Sequence, residues 1–250
     1  MMVSPTPFDR TRRAVLGAGV LALLARPLRA ERDLTVMAAA SLKPALDEIA
    51  GRWAEPVVLS YGGSGTIARQ AALGAPADLI VLAATDWMDW LAGQGVLSTA
   101  PRSVATNRLV LAGPPNVAPL RLRLPDVIEA LGPGGRLAMG DPASVPAGRY
   151  GQQALETLGL WAALRPRAIL TEDVRAALAY VARGDVAMGL VYRSDTVGTG
   201  VGTAALVPAT AHAPIVYPAA LLAGAGPGAP AFLEHLADNG DVFAAHGFAA

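Results

Sequence analysis

Short, uninterrupted apolar runs alternate with longer stretches whose apolar residues recur at helical spacing, and this alternation restricts the chain to an α/β architecture. Leu34-Thr35-Val36-Met37-Ala38 reads as a strand, and Leu42, Leu46, Ile49 and Trp53 follow on one helical face. Val57 to Tyr61 is a second strand, followed by a glycine turn and a helix over 66–73. Leu79-Ile80-Val81-Leu82 and Leu109-Val110-Leu111-Ala112 are a third and a fourth. Strands that do not alternate polar with apolar are buried on both faces, so a parallel sheet covered by helices is expected. After Gly113-Pro114-Pro115 the pattern restarts, with strands at 136–139, 168–170 and 187–192 and helices around 150–158 and 174–182. A last strand, 215–220, leads into a helix at 230–238. Two α/β units joined by proline-rich segments are the expected organisation: residues 31–111 with 212–250 in one lobe, 112–211 in the other.

The first thirty residues read differently. Arg10, Arg12 and Arg13 precede an uncharged run from Ala14 to Ala25 and a small-residue exit near Ala30, the pattern of a signal peptide. Thr11-Arg12-Arg13-Ala14-Val15-Leu16 fits a twin-arginine signal, and an ordinary export signal that carries paired arginines fits as well. The chain has no cysteine. That excludes disulfides, thiolate metal sites, a cysteine nucleophile and a lipid-bearing N-terminal thiol, so a free periplasmic protein is expected. The segment holds five arginines and one aspartate; the remaining 15 basic and 19 acidic side chains carry a net charge of −4. Such a balance offers no basic surface for nucleic acid. An anionic ligand would have to be held by local dipoles.

Four strand-to-helix turns place small or polar residues where a helix begins: Ala38 to Pro44, Tyr61 to Thr66, Gly140 to Gly148, and Thr171 to Val174. Ser41 and Thr171 stand where N-caps belong. Ligands of open parallel sheets bind beyond the carboxyl ends of the strands, and helix N-termini there present free N–H groups to anions. Any one of these turns is ordinary capping or packing; the set together describes an anion cleft. The histidines, His212, His235 and His246, lack metal-ligand spacing, and no metal ligand or cofactor is expected. Arg69 and Arg149 are expected to pair with carboxylates, and Trp87, Met88 and Trp90 to pack on a short helix.

These turns carry a family resemblance. Ala38-Ala39-Ala40-Ser41-Leu42, Ser64-Gly65-Thr66-Ile67-Ala68-Arg69-Gln70, Gly74-Ala75-Pro76-Ala77-Asp78 and Asp86-Trp87-Met88 resemble the periplasmic molybdate-binding proteins. Asn107-Arg108-Leu109-Val110, Gly140-Asp141-Pro142, Val145-Pro146-Ala147-Gly148, Glu172-Asp173-Val174-Arg175, Val191-Tyr192, Ser194-Asp195 and Ile215-Val216-Tyr217-Pro218 continue the series in order over residues 33–250. The resemblance implies a type II periplasmic-binding fold with a hinged cleft between two α/β lobes. It further implies that molybdate, and with it tungstate, is held by Ser41 and Ser64 through hydroxyl and backbone N–H, by Ala147 and Val174 through backbone N–H, and by the Tyr192 phenol. A monomer that delivers its ligand to the membrane permease of an ABC importer, with no chemical step, is the implied role. The glycines around Ser64 depart from the family pattern and are expected to loosen that turn slightly. Molybdate carries two charges and no proton near neutrality, so a donor-only shell suits it, whereas phosphate asks for an acceptor. A sulfate or other oxyanion receptor, a sensor domain docking on a receptor, and a secreted serine hydrolase using Ser41 or Ser64 are the alternatives.

Overall fold

A computed structural model describes Met1 and residues 33–249; the signal segment lies outside the described residues. The strands are β1 (Leu34–Ala39), β2 (Val57–Gly62), β3 (Leu79–Val81), β4 (Arg102–Asn107), β5 (Leu109–Gly113), β6 (Leu137–Gly140), β7 (Ala168–Thr171), β8 (Met188–Tyr192), β9 (Gly202–Leu206) and β10 (Ile215–Leu221). Between them run α1 (Lys43–Gly51), α2 (Ser64–Ala72), α3 (Thr85–Gly93), α4 (Leu124–Leu131), α5 (Pro146–Thr157), α6 (Trp161–Leu164), α7 (Val174–Ala182) and α8 (Arg193–Thr196). Two more, α9 (Ala229–Asp238) and α10 (Gly240–Ala245), close the chain. Pro44, Pro146 and Pro230 each stand in a first helical turn, where a missing N–H costs nothing.

The strands form two five-stranded sheets, β2-β1-β3-β10-β4 and β7-β6-β8-β5-β9. Interior strands such as β3, β5, β6 and β8 are buried at every position, as their unbroken apolar runs require. Neither sheet is purely parallel. β2, β1 and β3 run parallel, but β10 is antiparallel to β3 and β4; β7, β6 and β8 run parallel, but β5 is antiparallel to β8 and β9. The reason is connectivity: the chain passes from one sheet to the other between Asn107 and Leu109 and returns between Leu206 and Ile215, and the strands at these crossings run against their neighbours. Leu109–Ala112, read from sequence as the last strand of the first unit, therefore hydrogen-bonds in the second sheet, and β4 takes its place in the first.

Candidate ligand-binding site

The carboxyl ends of β1, β2, β6, β7 and β8 open on one small cleft. Ser41, Ser64, Ala147, Val174 and Tyr192 all line it, together with Ala39, Ala40, Gly62, Gly63, Ala83, Val145, Pro146 and Asp173. Five residues singled out along 152 positions of sequence thus converge on one space, from both sheets. No lysine or arginine lines it among the described residues.

Each contributor has its local reason. Ser64 is the first residue of α2 and Ala147 the second of α5, positions whose N–H groups find no acceptor within their own helix. Val174 opens α7. The cap of that helix is Asp173 rather than Thr171: Asp173 Oδ1 accepts from the N–H of Ala176 at 2.8 Å, which leaves the N–H of Val174 outside the cap. The Thr171 hydroxyl instead donates to backbone carbonyls at Asp173 and Met139. Ser41 caps no helix either. It lies in a single 3₁₀ turn, Ala40–Leu42, and its Oγ sits 3.0 Å from the Tyr217 hydroxyl.

The hydroxyls are poised as donors. Ser64 Oγ accepts from the N–H of Ala83 at 3.0 Å, so its own proton is left to point elsewhere. Tyr192 is 1% exposed, and its phenol oxygen is buried without a hydrogen-bond partner among the described residues. Burial holds that phenol well above its ordinary pKa, with Tyr217, Tyr150 and Asp195 adding to the effect, so it stays protonated and can donate. A buried, unpartnered hydroxyl is costly unless a ligand satisfies it. Among the described residues Asp173 is the one carboxylate lining the cleft, and its Oδ1 accepts from the N–H of Ala176 in its own helix.

The flanking residues frame the mouth. Arg149 on α5 forms an ion pair with Asp86 on α3 and stacks over Trp87, with its guanidinium carbon 5.5 Å from the ring centroid. Arg69 takes the Trp87 ring as well, at 5.4 Å, where a carboxylate partner was expected. Trp87 and Trp90 meet edge to face, and Met88 is fully buried in the core on which Trp87 packs. The N–H of Gly65 donates to the carbonyl of Ser144 at 3.1 Å, joining α2 to the turn ahead of α5.

Neither cleft serine meets a histidine. His212 bonds the carbonyl of Ala213, His235 that of Ile49, and His246 the carboxylate of Glu48. A serine nucleophile needs a base within hydrogen-bond reach, and these positions supply none to Ser41 or Ser64.

Two α/β halves with helix starts and uncharged hydroxyls facing one small cleft define a solute-binding protein. The chain matches the bacterial extracellular solute-binding protein family over residues 34–249 and belongs to it. It is 39% identical over 211 residues to the molybdate-binding protein ModA of Escherichia coli, covering 81% of this chain and 82% of that protein, which places it in the molybdate-binding branch. Among solved structures it resembles the periplasmic molybdate-binding protein of Azotobacter vinelandii, with a TM-score of 0.76, 24% identity, and coverage of 87% and 99% of the two chains. The sulfate-binding protein SubI of Mycobacterium tuberculosis shares the fold at a TM-score of 0.69 and 16% identity, covering 86% of each chain. The fold alone therefore does not choose between oxyanions.

Proposed function

We propose that this protein captures molybdate between its two lobes, accepts tungstate in the same cleft, and hands the ion to the membrane permease of an ABC importer without transforming it. The observation that carries the reading is the buried Tyr192 hydroxyl of this cleft-lining residue, which has no hydrogen-bond partner among the described residues. Around it, the Ser41 and Ser64 hydroxyls and the N–H groups of Ser41, Ser64, Ala147 and Val174 supply donors only. A fully deprotonated tetrahedral dianion is matched by such a shell, and backbone donors at helix starts offset its charge without a formal cation. Hydrogen phosphate would bring an O–H that needs an acceptor, which donors turned toward the ion do not offer; Asp173, with Oδ1 accepting from Ala176, is the group that would have to supply one.

The lobes of this reading are the two sheets with their helices, linked at 107–109 and 206–215. Closure over the ion gives the permease a surface to recognise, so capture and signalling are one event. A monomer free in the periplasm after loss of residues 1–30 fits the export signal. No helix of the described residues is long and apolar enough to cross a membrane.

Calorimetric titration with molybdate, tungstate, sulfate and phosphate tests the substrate. Tight binding of the first two and flat traces for phosphate are expected, and a strong sulfate trace beside a flat molybdate one would overturn the proposal. Two variants test the site. Tyr192→Phe deletes one hydrogen bond to a charged acceptor and should weaken molybdate binding roughly tenfold or somewhat more. Ala147→Pro removes a backbone donor at a position where proline is sterically tolerated, and should cost at least as much. Parent-like affinity in both would mean that the ion sits elsewhere.

A further inference from the structure

Two residues of the resemblance motifs, Asn107 and Tyr217, do not line the cleft, yet they are joined to it through Ser41. Both are buried; Tyr217 is completely inaccessible. The Asn107 side chain has a determined orientation. Its Oδ1 accepts from the N–H of Arg108 at 2.9 Å, and that backbone group can only donate. The amide nitrogen must then face the other way, where it donates to Ser194 Oγ at 2.8 Å and to the Tyr217 hydroxyl at 3.1 Å. With its oxygen accepting from Asn107, Tyr217 has one proton to place, and the other partner within reach is Ser41 Oγ at 3.0 Å. Tyr217 therefore donates to Ser41. Ser41 Oγ, accepting from behind, turns its own proton toward the cleft that it lines.

We infer that Asn107 and Tyr217 are positioning and specificity residues: the chain Asn107 Nδ2–H to Tyr217 Oη–H to Ser41 Oγ–H holds Ser41 as a donor to the oxyanion, so that this edge of the cleft accepts unprotonated oxyanions and rejects those carrying a proton. Ser64 is set in the same sense by the N–H of Ala83. In both cases a backbone N–H, which cannot reverse, fixes the direction: Ala83 for Ser64 directly, Arg108 for Ser41 through two intervening side chains. Asn107 also stands at the crossing from the first sheet to the second, and its bond to Ser194 on α8 ties the relay to the second sheet.

The inference rests on Ser41 as an oxyanion donor, and a double-mutant cycle tests it separately from the choice of ion. Calorimetry is run on the full mature chain with molybdate, or with sulfate if that is what the parent binds. Tyr217→Phe should weaken binding roughly tenfold in the parent and less than about twofold in Ser41→Ala, because the relay has nothing left to orient. Equal losses in the two backgrounds, no loss in the parent, or a Ser41→Ala variant that binds like the parent would each overturn the relay while leaving the oxyanion reading in place. A parent that binds neither ion would sink both. Asn107→Asp is nearly isosteric and keeps the acceptor for Arg108 but turns a second acceptor toward Tyr217, so its loss should likewise shrink about tenfold in Ser41→Ala. That comparison cancels the added charge and serves if Tyr217→Phe melts early.

Discussion

Asp195 sits directly behind the cleft, with no exposed surface and its Oδ2 accepting from the N–H of Tyr192 at 3.0 Å. Burial raises its pKa from 3.8 to about 7 against the opposing pull of that hydrogen bond and of Arg175, whose Nη1 is 3.9 Å from Oδ1; Asp173 adds to the rise. The Arg175 contact lies beyond hydrogen-bond distance, so desolvation of the carboxylate wins over pairing. In the unfolded chain this carboxyl ionises near its ordinary pKa, whereas in the folded protein it keeps its proton up to neutrality. The folded state thus holds more protons across that window, and stability falls as pH rises from about 4 to about 7, then levels off. The full separation corresponds to something on the order of 4 kcal/mol. Chemical denaturation of ligand-free protein at pH 5 and pH 8 should show the parent losing stability across the window, and Asp195→Asn losing less. Equal losses in parent and variant would show that Asp195 ionises normally.

At the scale of elements, the glycines around Ser64 prove to be about proximity. None of Gly62, Gly63 and Gly65 has a positive φ, so the turn needs no unusual backbone. A Cβ on Gly63 would lie 2.5 Å from the carbonyl oxygen of Glu172, ahead of α7, and one on Gly65 would lie 2.6 Å from that of Ser144 and equally close to Trp87. A Cβ on Gly62 meets only the Ile67 side chain, at 3.4 Å. Two of the three glycines are therefore what lets the start of α2 touch the turns of the second sheet. Gly63→Ala should weaken oxyanion binding at least tenfold, since a shift of about 1 Å at a positioned contact is enough for losses of that size or more. Gly62→Ala should bind like the parent, and calorimetry on the pair separates proximity from backbone freedom.

The same scale shows what the sequence could disclose. Interior strands were legible because burial on both faces writes an unbroken apolar run. β4 (Arg-Ser-Val-Ala-Thr-Asn) and β9 (Gly-Thr-Ala-Ala-Leu), each at one edge of its sheet, escaped because they are partly exposed and carry no unbroken apolar run, whereas the opposite edges β2 and β7 keep enough of one to be read. The cleft residues were carried by the family resemblance: Ser64, Ala147 and Val174 lie at helix starts, whereas Ser41 lies in a 3₁₀ turn and Tyr192 ends β8. The partners of Ser41 were not, since Tyr217 is 176 positions away and no local pattern announces the contact.

For the whole molecule, the contacts between the two halves include, among the described residues, the Gly65–Ser144 backbone bond, the Asp86–Arg149 ion pair with Arg149 stacked over Trp87, the Tyr192–Tyr217 ring contact and the Asn107–Ser194 bond. The ion pair is half-exposed at Asp86. Exposed pairs contribute about 1 kcal/mol at most, so Asp86→Ala should speed ligand release no more than roughly fivefold. On the proposed reading the ion would be the stronger fastening, because donors from both sheets would grip it. At a hundredfold excess over its dissociation constant, a ligand bound only by the folded state adds about 2.7 kcal/mol. A domain of this size shifts its melting temperature by about 2–4 °C per kcal/mol, so molybdate should raise Tm by roughly 5–10 °C under those conditions. Scanning fluorimetry of the mature chain, with and without molybdate, measures the Tm shift, and stopped-flow displacement of bound molybdate measures the release rate. A Tm that ignores molybdate while responding to Asp86→Ala would mean that the two sheets are held by their own side chains and that the cleft between them is not where an ion is kept.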